Sequence, residues 1–181
     1  MGSPKALLAF DGKTLLARAL DQLKLASLDQ VICVTGANAK LIENEIQNLN
    51  SGSRPLCAHN PDYKTGMLSS VQVGIRACAK NSLGVVITLV DLPYLRASDF
   101  STLPSVAPEQ LARYRYMGQA AHPVYIPRKY FAEILATPFQ LDGCAFLFRK
   151  YASDVLWLEA DSPRGLLDID TAEDYHAHLS S

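Results

Sequence analysis

The sequence predicts a single α/β domain over residues 1–181, arranged as a three-layer sandwich around a mostly parallel sheet. Two short apolar runs, Val31–Thr35 and Val85–Val90, read as neighbouring inner parallel strands, because a strand covered on both faces shows no polar alternation. Segments with helical apolar spacing alternate with these runs, which favours βαβ units in one sheet. The length of 181 residues suits one domain with a sizeable core.

The elements follow in order. Leu15, Leu16, Ala19, Leu20 and Leu23 make one buried stripe, so 14–25 is expected to be a helix. The β-branched run 30–35 ends at Gly36, a strand followed by a turn. Leu41, Ile42, Ile46 and Leu49 give a second helix over 39–49. Residues 55–58 read as a brief strand, and Asn60-Pro61-Asp62 as a turn. Residues 67–79 form a third helix, followed by the strand 84–90. Residues 111–116 and 123–126 read as strands around the turn at Gly118-Gln119. Residues 128–135 and 143–151 read as helices, 154–159 as a strand, and 171–179 as a closing helix with Thr171 as its N-cap.

Composition excludes several classes. Hydrophobic residues make up 49% and charged residues 19%, an ordinary globular balance. The net charge of −1 gives no bulk attraction to nucleic acid or to an anionic membrane surface. No apolar run approaches the roughly 18 residues of a transmembrane helix, and the N-terminus has no secretory pattern. A cytoplasmic protein is therefore expected. Cys33, Cys57, Cys78 and Cys144 lack short ligand spacings and read as reduced thiols rather than a zinc site.

Asp91 is the strongest candidate for chemistry. It follows a buried strand, at the carboxyl edge where open α/β sheets bind ligands. A carboxylate there suits Mg²⁺, which takes one or two carboxylates plus substrate phosphates. Pro93 follows closely, so an N-cap or turn role is the competing reading. Asp168 and Asp170 alternate with Leu167 and Ile169, which places both carboxylates on one face of an extended segment. A cation would relieve their repulsion. Lys5 follows a Gly-bearing segment and can neutralise phosphate charge. Gly66, Ser69 and Ser70 open a helix whose free amides suit an anion or a polar ligand edge. His122, before Pro123, is a candidate on the substrate side, although a lone His is commonly structural. His59, His176 and His178 read as surface residues.

Taken in order, five segments resemble the molybdenum cofactor cytidylyltransferase family, a MobA-like NTP transferase group. They are Met1-Gly2-Ser3-Pro4-Lys5, Asn60-Pro61-Asp62-Tyr63 with Gly66-Met67 and Ser69-Ser70, Asp91-Leu92-Pro93, His122-Pro123, and Asp168-Ile169-Asp170-Thr171-Ala172-Glu173-Asp174. The resemblance implies a Rossmann-like fold of the nucleotide-diphospho-sugar transferase type. It implies transfer of CMP from CTP, the favoured nucleoside triphosphate, to molybdopterin cofactor, with release of pyrophosphate. Mg²⁺ would be held by Asp91 with Asp168 or Asp170. Lys5 and Asp91 would be catalytic, and Gly2, Lys5, Gly66, Ser69 and Ser70 would border the nucleotide. His122 and Asp142 would face the acceptor substrate. An acceptor molybdoenzyme or its chaperone would be a further partner.

The sequence departs from the family in three places. The family carries a strand and a glycine-rich loop with an Arg before Met-Gly-x-Pro-Lys, whereas this chain starts at that Met. An N-terminally incomplete domain with poor turnover is therefore expected. Over Leu141-Asp142-Gly143-Cys144-Ala145-Phe146 the family has Gly-Asp-x-Gly-Ala-Arg, so both aligned glycines and the Arg are replaced. Ala121 stands where the family usually has Gly before His-Pro. Two other readings stay open: transfer to another phosphorylated acceptor, such as a sugar phosphate, and a catalytically silent binding relative.

Overall fold

The computed structural model describes residues 4–49, 54–138 and 142–169. A 3₁₀ turn, Lys5–Leu7, precedes a hairpin of β1 (Ala9–Phe10) and β2 (Lys13–Thr14). Asp11 and Gly12 in its turn have φ of 53° and 77°, the conformation that makes Asp-Gly a favoured two-residue hairpin link. Thr14 then caps α1 (Leu15–Leu25). Its Oγ1 accepts from the Ala17 amide at 3.1 Å and donates to Glu45 Oε1 at 2.9 Å.

β3 (Ile32–Thr35) leads through α2 (Ala39–Asn48) to β4 (Leu56–His59), which pairs with β3 in parallel register. Leu16 of α1 packs on Ile42 and Ile46 of α2, so the two predicted apolar stripes meet. α3 (Met67–Ala77) precedes β5 (Gly84–Ile87), and α4 (Ala97–Val106) follows it. β6 (Leu111–Tyr116) and β7 (Gln119–Pro127) form a hairpin, followed by α5 (Phe131–Ala136), α6 (Ala145–Lys150) and β8 (Val155–Glu159). Expected and observed boundaries agree closely for most elements. The β1–β2 hairpin and α4 are additional, and the expected 171–179 helix lies outside the described residues.

The strand pairing corrects one expectation. The runs 30–35 and 84–90 are not hydrogen-bonded neighbours among the described residues. β5 pairs antiparallel with β7, at one end of the ladder β5–β7–β6–β8. β6 pairs antiparallel with β7 and parallel with β8, so the pairing is mixed rather than mostly parallel. An apolar run reports cover on both faces, not the direction of a partner. That cover is present. Val85 and Ile87 pack with α3, α5 and α6, while Val86 packs with α4. Helices therefore cover both faces of the four-stranded ladder.

Two strand pairings determine where a site can form. β5, β6 and β8 run the same way, so their carboxyl ends share one edge. The β6–β7 register shifts between Arg113 and Tyr114: Arg113 faces Val124, but Tyr114 faces Ala121, leaving His122 and Pro123 unpaired. Such bulges re-aim side chains and recur beside active sites. This one adjoins Ile87, the last paired residue of β5.

Candidate active site

Lys5 and Asp91, 86 positions apart in the chain, meet as an ion pair, with Lys5 Nζ donating to Asp91 Oδ2 at 3.1 Å. The 3₁₀ turn after Pro4 brings the lysine in. The end of β5 delivers the aspartate, and Pro93 follows it at the turn. The backbone of Asp91 holds a third segment: its carbonyl accepts from the Ile169 amide at 3.0 Å. Asp168, exposed, therefore lies one residue from a direct contact with Asp91's main chain. Gly2 and Asp170 lie outside the described residues.

Four buried side-chain atoms have no hydrogen-bond partner among the described residues: Thr35 Oγ1, Asp91 Oδ1, Arg113 Nε and His122 Nδ1. Buried polar atoms are rarely left unpaired unless a ligand or ion completes them. Thr35 ends β3, Asp91 follows β5, and Arg113 and His122 flank the β6–β7 bulge. Asp91 Oδ1, a buried anionic acceptor beside Lys5, fits a hard cation. Among the described residues no group of three His, Cys, Asp or Glu could hold a metal by itself. Mg²⁺ does not require one, because substrate phosphates complete its shell.

The Gly66–Ser70 segment is reached through Asn60. Asn60 is buried; its Oδ1 accepts from the Asp62 amide at 3.0 Å, and its Nδ2 donates to Ser69 Oγ at 2.8 Å and Ser70 Oγ at 2.9 Å. Ser69 Oγ in turn donates to the Gly66 carbonyl at 2.8 Å. Gly66, at φ 124° and ψ 163°, takes a conformation essentially confined to glycine, and it presents the first turn of α3. The buried Ser69 hydroxyl is thus engaged within the loop, and Ser69 acts on the turn's shape. Sequence reasoning singled out the serines but not Asn60, although the turn Asn60-Pro61-Asp62 is the signal for it.

His122 is half-buried. Burial, reinforced by the charge of Arg113, holds its pKa below the ordinary value, against a hydrogen bond to the Ile87 backbone and the field of Asp91. It lines a cavity of about 200 Å³ with Leu95, Asp99, Tyr114, Asp161 and Arg164. Arg164 is held there by Asp99 at 3.3 Å and Asp161 at 2.8 Å. Gly165 packs so tightly that a Cβ would lie 2.0 Å from the His122 carbonyl oxygen. Asp142 is exposed and pairs with Arg149 at 2.8 Å; no described contact joins it to Lys5 or Asp91. Gly143 beside it packs on Met67 at the start of α3.

The cysteines are free thiols. Burial raises Cys33 to about 11 and Cys144 to about 12, so neither is a ready thiolate. Cys33 faces Cys57 across the β3–β4 ladder, a juxtaposition that their spacing in sequence does not reveal.

This geometry has counterparts among known proteins. The MobA-like NTP transferase domain matches residues 1–164. The chain belongs to that family. It is 24% identical over 175 residues to the molybdenum cofactor cytidylyltransferase of Escherichia coli (strain K12), covering 97% of this chain and 86% of that protein. The solved structure of Rv0371c from Mycobacterium tuberculosis H37Rv superposes with a TM-score of 0.83 at 25% identity, covering 100% of this chain and 92% of that one. A manganese complex of Rv0371c superposes with a TM-score of 0.74 at 24% identity, covering 98% and 92%. The MobA-like chain is therefore a nucleotidyltransferase by family, with the α/β fold of its structural relatives. No helix among its described residues is long and apolar enough to cross a membrane.

Proposed function

We propose that this chain transfers CMP from CTP to a molybdopterin-type cofactor in the cytoplasm, with release of pyrophosphate. The observation that carries the reading is Asp91: one carboxylate oxygen is buried without a partner and the other is held by Lys5. The same reading takes the two ladders as parts of one three-layer sandwich of the nucleotide-diphospho-sugar transferase type. The name of the bacterial relative and its coverage support the choice of substrates.

In this reading the terminal phosphate oxygen of the acceptor attacks the α-phosphorus of CTP. The bond to the β-phosphate oxygen breaks and pyrophosphate leaves. The protein contributes position and charge rather than a covalent intermediate. Lys5, freed in part from Asp91 by the arriving phosphates, neutralises charge gathering on the α-phosphate. Gly66 and the first turn of α3 border the nucleotide, with Asn60 and Ser69 holding that turn in shape and Ser70 beside it. Gly2, outside the described residues, is assigned to the nucleotide by the family resemblance alone. Asp91 would hold Mg²⁺ together with Asp168 or Asp170, and the manganese complex of the mycobacterial relative supports a divalent ion. When bound, the ion draws charge from the triphosphate and favours departure of pyrophosphate. His122, neutral at physiological pH, and Asp142 face the acceptor. An acceptor molybdoenzyme or its chaperone would receive the product.

Calorimetric titration with CTP, GTP and ATP, each with and without Mg²⁺, tests the reading. Metal-dependent binding with CTP preferred by about tenfold is expected. Equal or absent binding of all three would overturn it. A second reading, transfer to another phosphorylated acceptor such as a sugar phosphate, draws on Phe146. Its ring packs into the core cluster of α3, α5 and α6 and offers an acceptor no polar contact.

A further inference from the structure

Arg113, on β6, is a charged residue that the proposed mechanism does not use. Its guanidinium carbon lies 5.2 Å from the centre of the Phe148 ring and 5.6 Å from that of Trp157. Phe148 is buried on α6, and Trp157 faces Arg113 across the parallel β6–β8 ladder, with its ring partly open to solvent. Aromatic faces attract a cation, but they accept none of its directed N–H bonds in the way a carboxylate does. No acid pairs with Arg113 among the described residues, and its Nε is buried with no acceptor. Arg115, two residues on, shows the alternative: it too approaches Trp157, yet it is paired to Glu159.

An unpaired, half-buried guanidinium is costly unless something completes it. Burial holds the Arg113 pKa below its ordinary value, and no neighbouring acid counters this. The group nevertheless stays charged, because an arginine does not deprotonate in a protein. Its charge reaches His122 across the bulge, and His122 also feels Asp91. Arg113, His122 and Asp91 thus form a series from the α6 face of the sheet to the Lys5–Asp91 pair. The planar fork of donors matches the oxygens of a phosphate dianion, and two aromatic rings flank it.

We propose that Arg113 is an acceptor-side anion subsite, binding the phosphate monoester that attacks the nucleotide. The assignment deepens the transferase reading and rests on it for the word acceptor; the anion site itself does not. A dianion on Arg113 would neutralise a half-buried cation left unpaired among the described residues and lie on the His122 side of Asp91. Its attacking oxygen would then approach from the sheet face that α3 and α6 share.

Trp157, the only tryptophan in the chain, is a built-in reporter for this site. Inorganic phosphate is titrated into the full chain while Trp157 emission is followed, and Mg²⁺–CTP binding is measured separately by calorimetry. Saturable phosphate-dependent emission is expected in the parent chain. Arg113→Gln should weaken it by about tenfold or more, whereas Arg113→Lys, which keeps the charge, should weaken it less. Mg²⁺–CTP affinity should stay within about twofold in both variants. Should Arg113→Gln fail to fold, Arg113→Lys and the parent carry the test, because loss of the planar fork alone should still lower phosphate affinity. No emission change with phosphate, or an unchanged response in both variants, overturns the subsite. Equal loss of phosphate and Mg²⁺–CTP binding moves Arg113 to the nucleotide and overturns the acceptor assignment. Absent Mg²⁺–CTP binding in the parent would defeat the transferase reading while leaving the phosphate measurement decisive for Arg113.

Discussion

Around Asn60, the side-chain donors and acceptors close on one another. The amide bonds both serine hydroxyls and accepts from Asp62, and Ser69 bonds back to Gly66. Around the β6–β7 bulge, Arg113 Nε and His122 Nδ1 remain buried without partners. The first region is finished before any ligand arrives and presents backbone amides in a preset shape. The second, in the proposed reading, is completed by what binds. A substitution in the first region should therefore act mainly on stability, and one in the second mainly on binding.

Asp91, held by Lys5 on one oxygen and open on the other, is expected to show the largest effect. Asp91→Asn keeps the shape and the turn but removes the charge that a divalent ion requires. Metal-dependent CTP binding should disappear and turnover should fall by about 10²–10³, with the melting temperature held within a few degrees. Unchanged metal-dependent binding would make Asp91 structural and move the ion to Asp168 and Asp170. Chelation by EDTA should reproduce the loss in the parent and add nothing in the variant.

Asn60→Ala sharpens the contrast from the other side. It strips the donor from two serine hydroxyls and the acceptor from the Asp62 amide. A stability loss of about 2 kcal/mol is expected, read as a lower midpoint in urea. A variant as stable as the parent would mean that the network does not hold the turn.

The smallest effect is a pH dependence at the bulge. The pKa of His122 is depressed by burial in the folded chain. Above the ordinary histidine value both folded and unfolded states are neutral there, and the residue contributes no pH dependence. Below that value the unfolded chain takes up a proton that the folded chain resists, so stability falls as pH drops. His122→Gln should flatten the melting-temperature profile between about pH 6.5 and pH 5. An identical profile would show that His122 is not the responsible group.

Much of the fold was legible because its signals are local. The Leu15–Leu23 stripe, the run before Gly36 and the turn at Gly118 each report their own conformation. Strand direction is not local. β5 looked like an inner parallel strand because helices cover both its faces, yet its partner β7 runs antiparallel. α4 was missed because Pro104 lies inside it and Asp99 is buried on it through an ion pair with Arg164. The Asp11-Gly12 hairpin carries its own local signal, a two-residue Asp-Gly link. In the site, Asp91 could be read from its place after an apolar run, but its meeting with Lys5 came from a family resemblance, since 86 positions separate them. Arg113 gave no signal, because a single arginine in a strand looks like one exposed to solvent.

Gly165 and Ile169 carry a consequence for synthesis of the chain. Gly165 lies against the main chain of His122, and the Ile169 amide closes onto Asp91. Lys5, Asp91 and His122 are all made before either of these two late contacts can exist. The nascent protein can collapse around its earlier helices and strands while the aspartate loop and the bulge are still unclasped. Substrate capture is thereby deferred until the segment through Ile169 has been made, and a product that stops before Gly165 would lack both clasps.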